Sequence, residues 1–372
     1  MRTAICETLG CEVPIFAFSH CRDVVAGVTR AGGFGVLGGS TFTPEQFARE
    51  LDWIDEHTGD GPYGVDVLVP STYDARADVP PEELERLIPQ EHRDFLDAIL
   101  AEHGVPELPP EERTRLRREL AAGRGAMTPD GARRLVDIAL THPRVGLVAS
   151  ALGTPPPDVV AQVHEQGRLI GALCGRARHA EKHVAAGVDL VVAQGTEAGG
   201  HTGDITTMVL VPDVVAAVAG RAAVVAAGGI THGSQVAAAL AMGAQGVWTG
   251  TVWLGTRESE LDDFERRRVI ETPAEGTVRG RARTGKTVRM IRSALSDAWE
   301  APGAPAVLPT PLQGVLYNEA HARVVRARAD GLFSFPVGQS VGAVRGETTV
   351  AEVMYRLQEE LGEALERLGG LS

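Results

Sequence analysis

The chain has 372 residues, 44% of them hydrophobic, and a formal charge of −13. That length and apolar fraction allow one large domain or two ordinary ones with a full core, while the acidic balance argues against a nucleic-acid or anionic-membrane surface. No stretch approaches the roughly 20 apolar residues that span a bilayer, no signal-peptide core opens the chain, and Cys6, Cys11, Cys21 and Cys174 show neither paired nor metal-ligand spacing. The expectation is a cytoplasmic protein with reduced thiols and no metal, acting on small molecules.

Short apolar runs recur, each followed by a glycine-rich or polar turn and then by helical periodicity, which is the pattern of βα units. In chain order, strands are predicted at 14–17, 35–37, 64–69, 145–149, 169–172, 190–193, 223–226 and 246–249. Helices are predicted at 23–31, 44–56, 157–166, 177–186, 212–219 and 233–242. Eight parallel strands with interleaved helices favour a closed (β/α)8 TIM barrel of the α/β class over an open doubly wound sheet. A charged stretch at about 71–143 carries helical patterning without a strand and reads as a helical insertion after the third strand. The barrel then spans 1–254. Residues 255–349, punctuated by Ala301-Pro302-Gly303-Ala304-Pro305, read as a lid or extension over the barrel mouth, and 350–372 as a C-terminal amphipathic helix that packs back on the barrel. Barrel sites form at the C-terminal ends of the strands, so both excursions fall on the functional face. A role in oligomerisation competes for the insertion.

The sixth predicted strand empties into Gln194-Gly195-Thr196-Glu197-Ala198-Gly199-Gly200-His201-Thr202-Gly203. Glycines at this density let backbone N–H groups approach a ligand and permit positive φ. A flexible surface loop with a solvated histidine is the competing account. Two more glycine turns follow the seventh and eighth strands, Ala227-Gly228-Gly229-Ile230 and Thr249-Gly250-Thr251-Val252. In a barrel these adjacent turns commonly form a phosphate site from backbone donors, with the Thr251 hydroxyl as a further donor. No GxGxxG follows the first strand and no Walker lysine motif exists, which removes the dinucleotide-fold and P-loop readings.

Pro14-Ile15-Phe16-Ala17, Arg30-Ala31-Gly32-Gly33-Phe34-Gly35, the 194–201 loop, Ala226-Ala227-Gly228-Gly229-Ile230 and the stretch from Ala237 through Gly250-Thr251 resemble the nitronate monooxygenase (2-nitropropane dioxygenase) family. Gly285-Lys286-Thr287-Val288-Arg289 and Val337-Gly338-Gln339-Ser340-Val341-Gly342 are weakly similar to that family's C-terminal elements. The resemblance implies non-covalent FMN, its phosphate at Gly228, Gly229, Gly250 and Thr251 and its ring near Ala17, Phe18 and Gln194. Gly195, Ala198, Gly199 and Gly200 would then lie beside the ring, and His201 matches the family's catalytic base. Imidazole suits removal of a proton from carbon next to a nitro group, since its ordinary pKa lies close to working pH.

Three departures stand out. Asp66 occupies the flavin-contacting position where the family usually has asparagine. The sequence Phe18-Ser19-His20-Cys21 replaces a smaller one, making His20 and Ser19 candidate substrate contacts. The insertion lies outside the family pattern. Glu197 is expected to orient backbone, Cys174 to act as a small hydrophobe, and His164, His179 and His183 to be solvated on helices. The implied partners are a small nitro compound and dioxygen, with NAD(P)H as an alternative reductant and a monomer or homodimer left open. Two competing functions remain: an NAD(P)H-dependent flavin oxidoreductase acting on a quinone or enoyl thioester, and a catalytically silent flavin-binding protein.

Overall fold

A computed structural model describes residues 2–69, 81–126, 128–151 and 153–370. Eight parallel strands close into a barrel: β1 (Ile15–Ser19), β2 (Phe34–Gly38), β3 (Tyr63–Asp66), β4 (Val145–Ser150), β5 (Leu169–Cys174), β6 (Leu190–Gln194), β8 (Ala223–Ala227) and β9 (Gly246–Thr249). A two-residue strand, β7 (Gly200–His201), lies outside it. Closure is visible at Phe16, which is in register with Phe34 on one side and Trp248 on the other. All eight predicted strands are present. The third ends at Asp66 instead of residue 69, with Val67 N–H still bonded to Ala149 as the chain departs.

Alternation along the strands sorts the apolar residues into two sets. Phe16, Phe34, Leu147, Val192, Val225 and Trp248 share one interior cluster, closed by Ile5, Cys6 and Leu9 of a short N-terminal helix, Ala4–Leu9, that the sequence analysis did not predict. Strand residues of the opposite parity, such as Val65, Val148 and Ile170, turn outward beneath the helices. Full burial of each such side chain contributes roughly 1.5–3 kcal/mol, which is why nearly continuous apolar runs mark these strands.

The charged stretch after β3 forms helices Pro81–Arg86, Gln90–Glu102 and Pro110–Ala126; its predicted opening, 71–80, lies outside the described residues. A fourth helix of that stretch, Pro129–Thr141, belongs to the ring around the barrel, where Leu135, Val136 and Ala139 pack with Leu51 and Ile54. Beyond β9 the expected mixed helices are Asp263–Ile270, Ala294–Glu300 and Leu312–Ala327. Between them lies a feature that was not predicted. Strands β10 (Thr277–Gly280) and β11 (Val288–Ile291) pair antiparallel, and β7 completes a three-stranded sheet in the order β10-β11-β7. Insertion and extension share one apolar cluster in which Ile88, Leu96 and Leu100 meet Met290, Leu316, Tyr317 and Phe333. The C-terminal helix, Val350–Gly369, returns to the barrel through Val350, Met354, Leu357 and Leu361. It lies so close to the helix Gly233–Ala241 that a Cβ on Gly233 would stand 2.3 Å from the Leu357 carbonyl oxygen. No helix among the described residues is long and apolar enough to cross a membrane.

Candidate active site

At the C-terminal ends of the strands, the same alternation directs Phe18, Gly38, Asp66, Leu173, Gln194, Ala227 and Trp248 toward the barrel interior. Phe18 and Trp248 stack at 6.4 Å and 23°, giving a flat aromatic floor. Ala17 turns its methyl group to the helix layer, so its contribution at the mouth is backbone. Gln194 is half-buried, and its carboxamide has no hydrogen-bond partner among the described residues.

Of the two candidate substrate contacts on the β1 turn, one faces the mouth. His20 packs edge-on to Phe18 at 5.2 Å, and its Nδ1 donates to the Gly38 carbonyl at 2.9 Å. A Cβ on Gly38 would stand 2.6 Å from that ring, so glycine is what admits the imidazole. Ser19 is buried, and its hydroxyl accepts from Cys21 N–H to shape the turn. Asp66 is 5% exposed and its Oδ1 has no hydrogen bond. Burial pushes this carboxyl up to about 7, against the single opposing influence of a hydrogen bond from Ala151 N–H.

Gly228 and Gly229 have φ of +104° and +74°, a conformation that a side chain disfavours. The N–H groups of Gly228, Gly229, Gly250 and Thr251 donate to no protein acceptor among the described residues. Gly250 and Thr251 open a 3-10 helix, Thr251–Gly255, where unpaired N–H groups favour an anion. Thr251 Oγ1 accepts from Gly338 N–H at 2.8 Å, leaving its own proton to donate. Gly338, in the stretch that resembles the family's C-terminal elements, reaches these turns because Gln339 N–H bonds the Glu197 carbonyl at 2.9 Å. Four free donors, a hydroxyl and a flat apolar floor fit a phosphate carrying an aromatic ring system.

The 195–207 loop is strapped down and is not a flexible appendage. Arg289 Nε donates to the Thr196 carbonyl at 2.9 Å, and Thr196 N–H bonds Ile205. The Glu197 carboxylate accepts from both N–H and hydroxyl of Thr207, capping the helix Thr207–Val218. That helix, predicted at 212–219, begins five residues earlier, where the Glu197 carboxylate receives its first N–H and Pro212 lies inside it. Gly195 is packed against Thr207, and Ala198 N–H closes a turn onto Gly195. At Gly199 a Cβ would stand 2.6 Å from Val337, so this glycine admits the 337–339 segment, whereas Gly200, with φ +74°, faces open space.

His201 is paired with Val288 in the three-stranded sheet β10-β11-β7, here called the cap sheet, and its Nδ1 donates to the Thr287 carbonyl at 3.1 Å. That bond assigns the ring proton to Nδ1 and leaves Nε2 as a bare acceptor. His201 is exposed, yet the atoms crowded around its ring, aided by the cations of Lys286 and Arg283, hold the imidazole below its usual pKa. Sequence reasoning missed these cations and the groups behind them. Arg283 lies over Tyr317 at 5.1 Å. His321 stacks on Tyr317, packs tilted against Phe333 and is pushed down to about 3 by burial and by Arg283. Cys174 sits in the helix-facing core, its thiol pushed up to about 12 by burial. His183 is buried rather than solvated, because its Nε2 donates to Leu173 and its Nδ1 accepts from the Thr154 hydroxyl.

The sequence profile of the nitronate monooxygenase family matches residues 17–360. A candidate monooxygenase of Mycobacterium tuberculosis is 46% identical over 379 aligned residues, covering 100% of this chain and 99% of that one. The (3aS,4S,5R,7aS)-5-hydroxy-7a-methyl-1-oxo-octahydro-1H-indene-4-carboxyl-CoA dehydrogenase of the same organism is 30% identical, covering 81% of this chain and 69% of that one. Among solved structures, nitroalkane oxidase from Streptomyces ansochromogenes superposes with a TM-score of 0.79 at 26% identity, over 98% of this chain and 100% of that one. A closed barrel whose mouth carries unpaired N–H donors, stacked aromatic rings and a strand-borne histidine, matched by this profile over nearly its whole length, makes the chain an oxidoreductase belonging to the nitronate monooxygenase family.

Proposed function

We propose that this chain uses FMN to oxidise small alkyl nitronates with dioxygen, giving a carbonyl compound and nitrite. The observation that carries the cofactor is the set of unpaired N–H donors at Gly228, Gly229, Gly250 and Thr251, placed where a phosphate can be received. Phe18 and Trp248 would lie under its ring and Gln194 beside it. When bound, the flavin supplies the electron acceptor and the centre at which dioxygen reacts.

The chain's own residues do the remaining work. With a neutral nitroalkane, His201 Nε2 takes the proton from the carbon bearing the nitro group, and the Thr287 carbonyl steadies the imidazolium that results. With a preformed nitronate no proton need be removed, and His201 positions the substrate through a hydrogen bond. Arg283 and Lys286 favour an anion in the crevice while disfavouring a charged His201. The β10–β11 hairpin, paired to His201 through β7, and the 337–339 segment, bonded to Glu197, brace the loop that carries the base.

Anaerobic stopped-flow absorbance tests the reading. Propyl nitronate alone should change the spectrum of bound flavin, and admitting air should release nitrite; no change with nitronate would refute it. The 30% relationship to a carboxyl-CoA dehydrogenase favours a second reading, oxidoreduction of a CoA thioester with a nicotinamide as partner. Rapid bleaching by NADH or NADPH without any response to nitronate would select it.

A further inference from the structure

Among the described residues, Asp66 is the only carboxylate with a buried oxygen that lacks a hydrogen bond. It stands on the last residue of β3, in register with Gly38 of β2 and Ala149 of β4. Gly64, two residues earlier, would point a Cβ at Phe34 and Leu147, so this side of β3 faces the barrel interior, and Asp66 occupies its uppermost layer. The surroundings supply little for a negative charge. From β2 comes Gly38, with the imidazole of His20 packed over it and its Nδ1 committed to the Gly38 carbonyl. From β4 come the methyl of Ala149 and, beyond the strand, one N–H at Ala151. No charged side chain among the described residues acts on the Asp66 carboxyl.

An unsatisfied buried carboxylate oxygen costs free energy that an apolar residue would not, so its presence at the layer where the ring would rest is informative. We propose that Asp66 is a proton-linked contact of the flavin ring: as the acid it donates a hydrogen bond to the ring, and as the carboxylate it opposes the ring's anionic reduced state. The inference rests on the FMN reading above.

Burial, opposed only by the Ala151 N–H, brings the carboxyl to about 7, so both forms are populated near neutrality. Covering the mouth with a ring removes more water and favours the acid further. On reduction from an external two-electron donor, the ring gains negative charge and the Asp66 carboxylate takes one proton from solvent, forming its O–H bond. Electrons go to the ring and the proton goes to Asp66. Between the pKa of Asp66 in the oxidised complex and its higher value in the reduced complex, reduction therefore becomes harder by about tenfold in the reduced-to-oxidised ratio for each pH unit, beyond the ring's own proton dependence.

The test compares purified flavin-loaded wild type with Asp66→Asn by anaerobic dye equilibration and visible absorbance between pH 5 and 9. The wild type should show an extra one-proton dependence near neutrality, and Asp66→Asn should lack it and behave as the acid form throughout. Bound flavin with indistinguishable pH profiles in the two proteins would overturn the inference alone. Absence of flavin from both, with free FMN fluorescence unquenched on titration, would overturn the FMN reading as well. Should Asp66→Asn fail to fold, infrared difference spectra of photoreduced wild type at pH 8 decide the matter. A carboxylic-acid C=O band should rise with reduction, and its absence would overturn the proposal.

Discussion

His201 Nδ1 lies 3.1 Å from the carbonyl oxygen of Thr287, joining a residue of the loop after β6 to one 86 positions later, just before β11, the central strand of the three-stranded sheet. A carbonyl can only accept, so the bond fixes the tautomer, and the strand pairing of His201 with Val288 fixes the ring's origin. A side chain that the sequence places in a glycine loop thereby stands on a strand, with its ring oriented by a distant carbonyl.

Replacing His201 with asparagine keeps a polar group at that place but removes the base. Flavin content should be unchanged, and kcat/KM for a neutral nitroalkane should fall by about 10²–10⁴-fold, with a smaller loss for the preformed nitronate. Parallel steady-state assays with both substrates check this, and undiminished turnover of the neutral substrate would remove His201 as base.

The acid limb of the pH profile should report the neutral form of His201. Its pKa is held below the usual value, so activity with a neutral nitroalkane persists to lower pH than an unperturbed imidazole allows and falls as the ring takes its proton. Arg283→Met removes one of the cations responsible and should move that limb to higher pH. A limb that stays in place in Arg283→Met would show that Arg283 does not act on His201.

Glu197 is bonded entirely within the protein, so Glu197→Ala should act on stability and loop order. Losing a helix cap costs about 0.5–2 kcal/mol, and Thr207 loses the carboxylate partner of its N–H and hydroxyl. Urea unfolding should give a lower midpoint. A parallel rise in KM with little change in flavin affinity is the expected kinetic trace of a loosened His201 loop.

At Gly229 an alanine must adopt φ near +74°, which costs about 1–2 kcal/mol for an L residue, and its Cβ would come 3.3 Å from Glu197. Gly229→Ala should therefore weaken FMN binding while leaving the barrel's circular dichroism intact. Fluorescence titration of the flavin-free protein measures this; unchanged affinity would exclude Gly229 from the cradle.

Asp66 also sets a stability trend in the flavin-free protein. Its folded pKa is raised from 3.8 to about 7, so folding holds a proton that the unfolded chain releases. The stability associated with the neutral carboxyl is complete below about pH 4, declines as pH rises, and levels off above about pH 7. Asp66→Asn removes this decline, and its melting temperature should exceed that of wild type by a margin that widens from pH 4 to pH 7.5.

Much of this arrangement is legible in the chain itself. The apolar runs that become β1–β6, β8 and β9 carry their own burial requirement, since a strand covered on both sides needs side chains that avoid water. Gly228, Gly229 and Gly250 announce their turns because backbone that must present N–H groups or take positive φ excludes most other residues. The cap sheet carries no such signal: β7 has two residues and β10 and β11 four each, with arginines among them, too short for a periodicity to register. His183 misleads for a related reason, because the groups that satisfy its two nitrogens come from β5 and the loop after β4, outside its own helix.

The sequence by itself determined the barrel, its order and the glycine turns at its mouth, because these follow from local periodicity and from steric limits written into single residues. Tertiary structure alone decided that Glu197 caps a helix, that Thr287 orients His201, that Arg283 and Lys286 stand beside it, and that Asp66 lies buried without a partner for its Oδ1. Hydrogen bonds, desolvation and charge act between atoms brought close in space, and no spacing along the chain encodes which distant groups will meet.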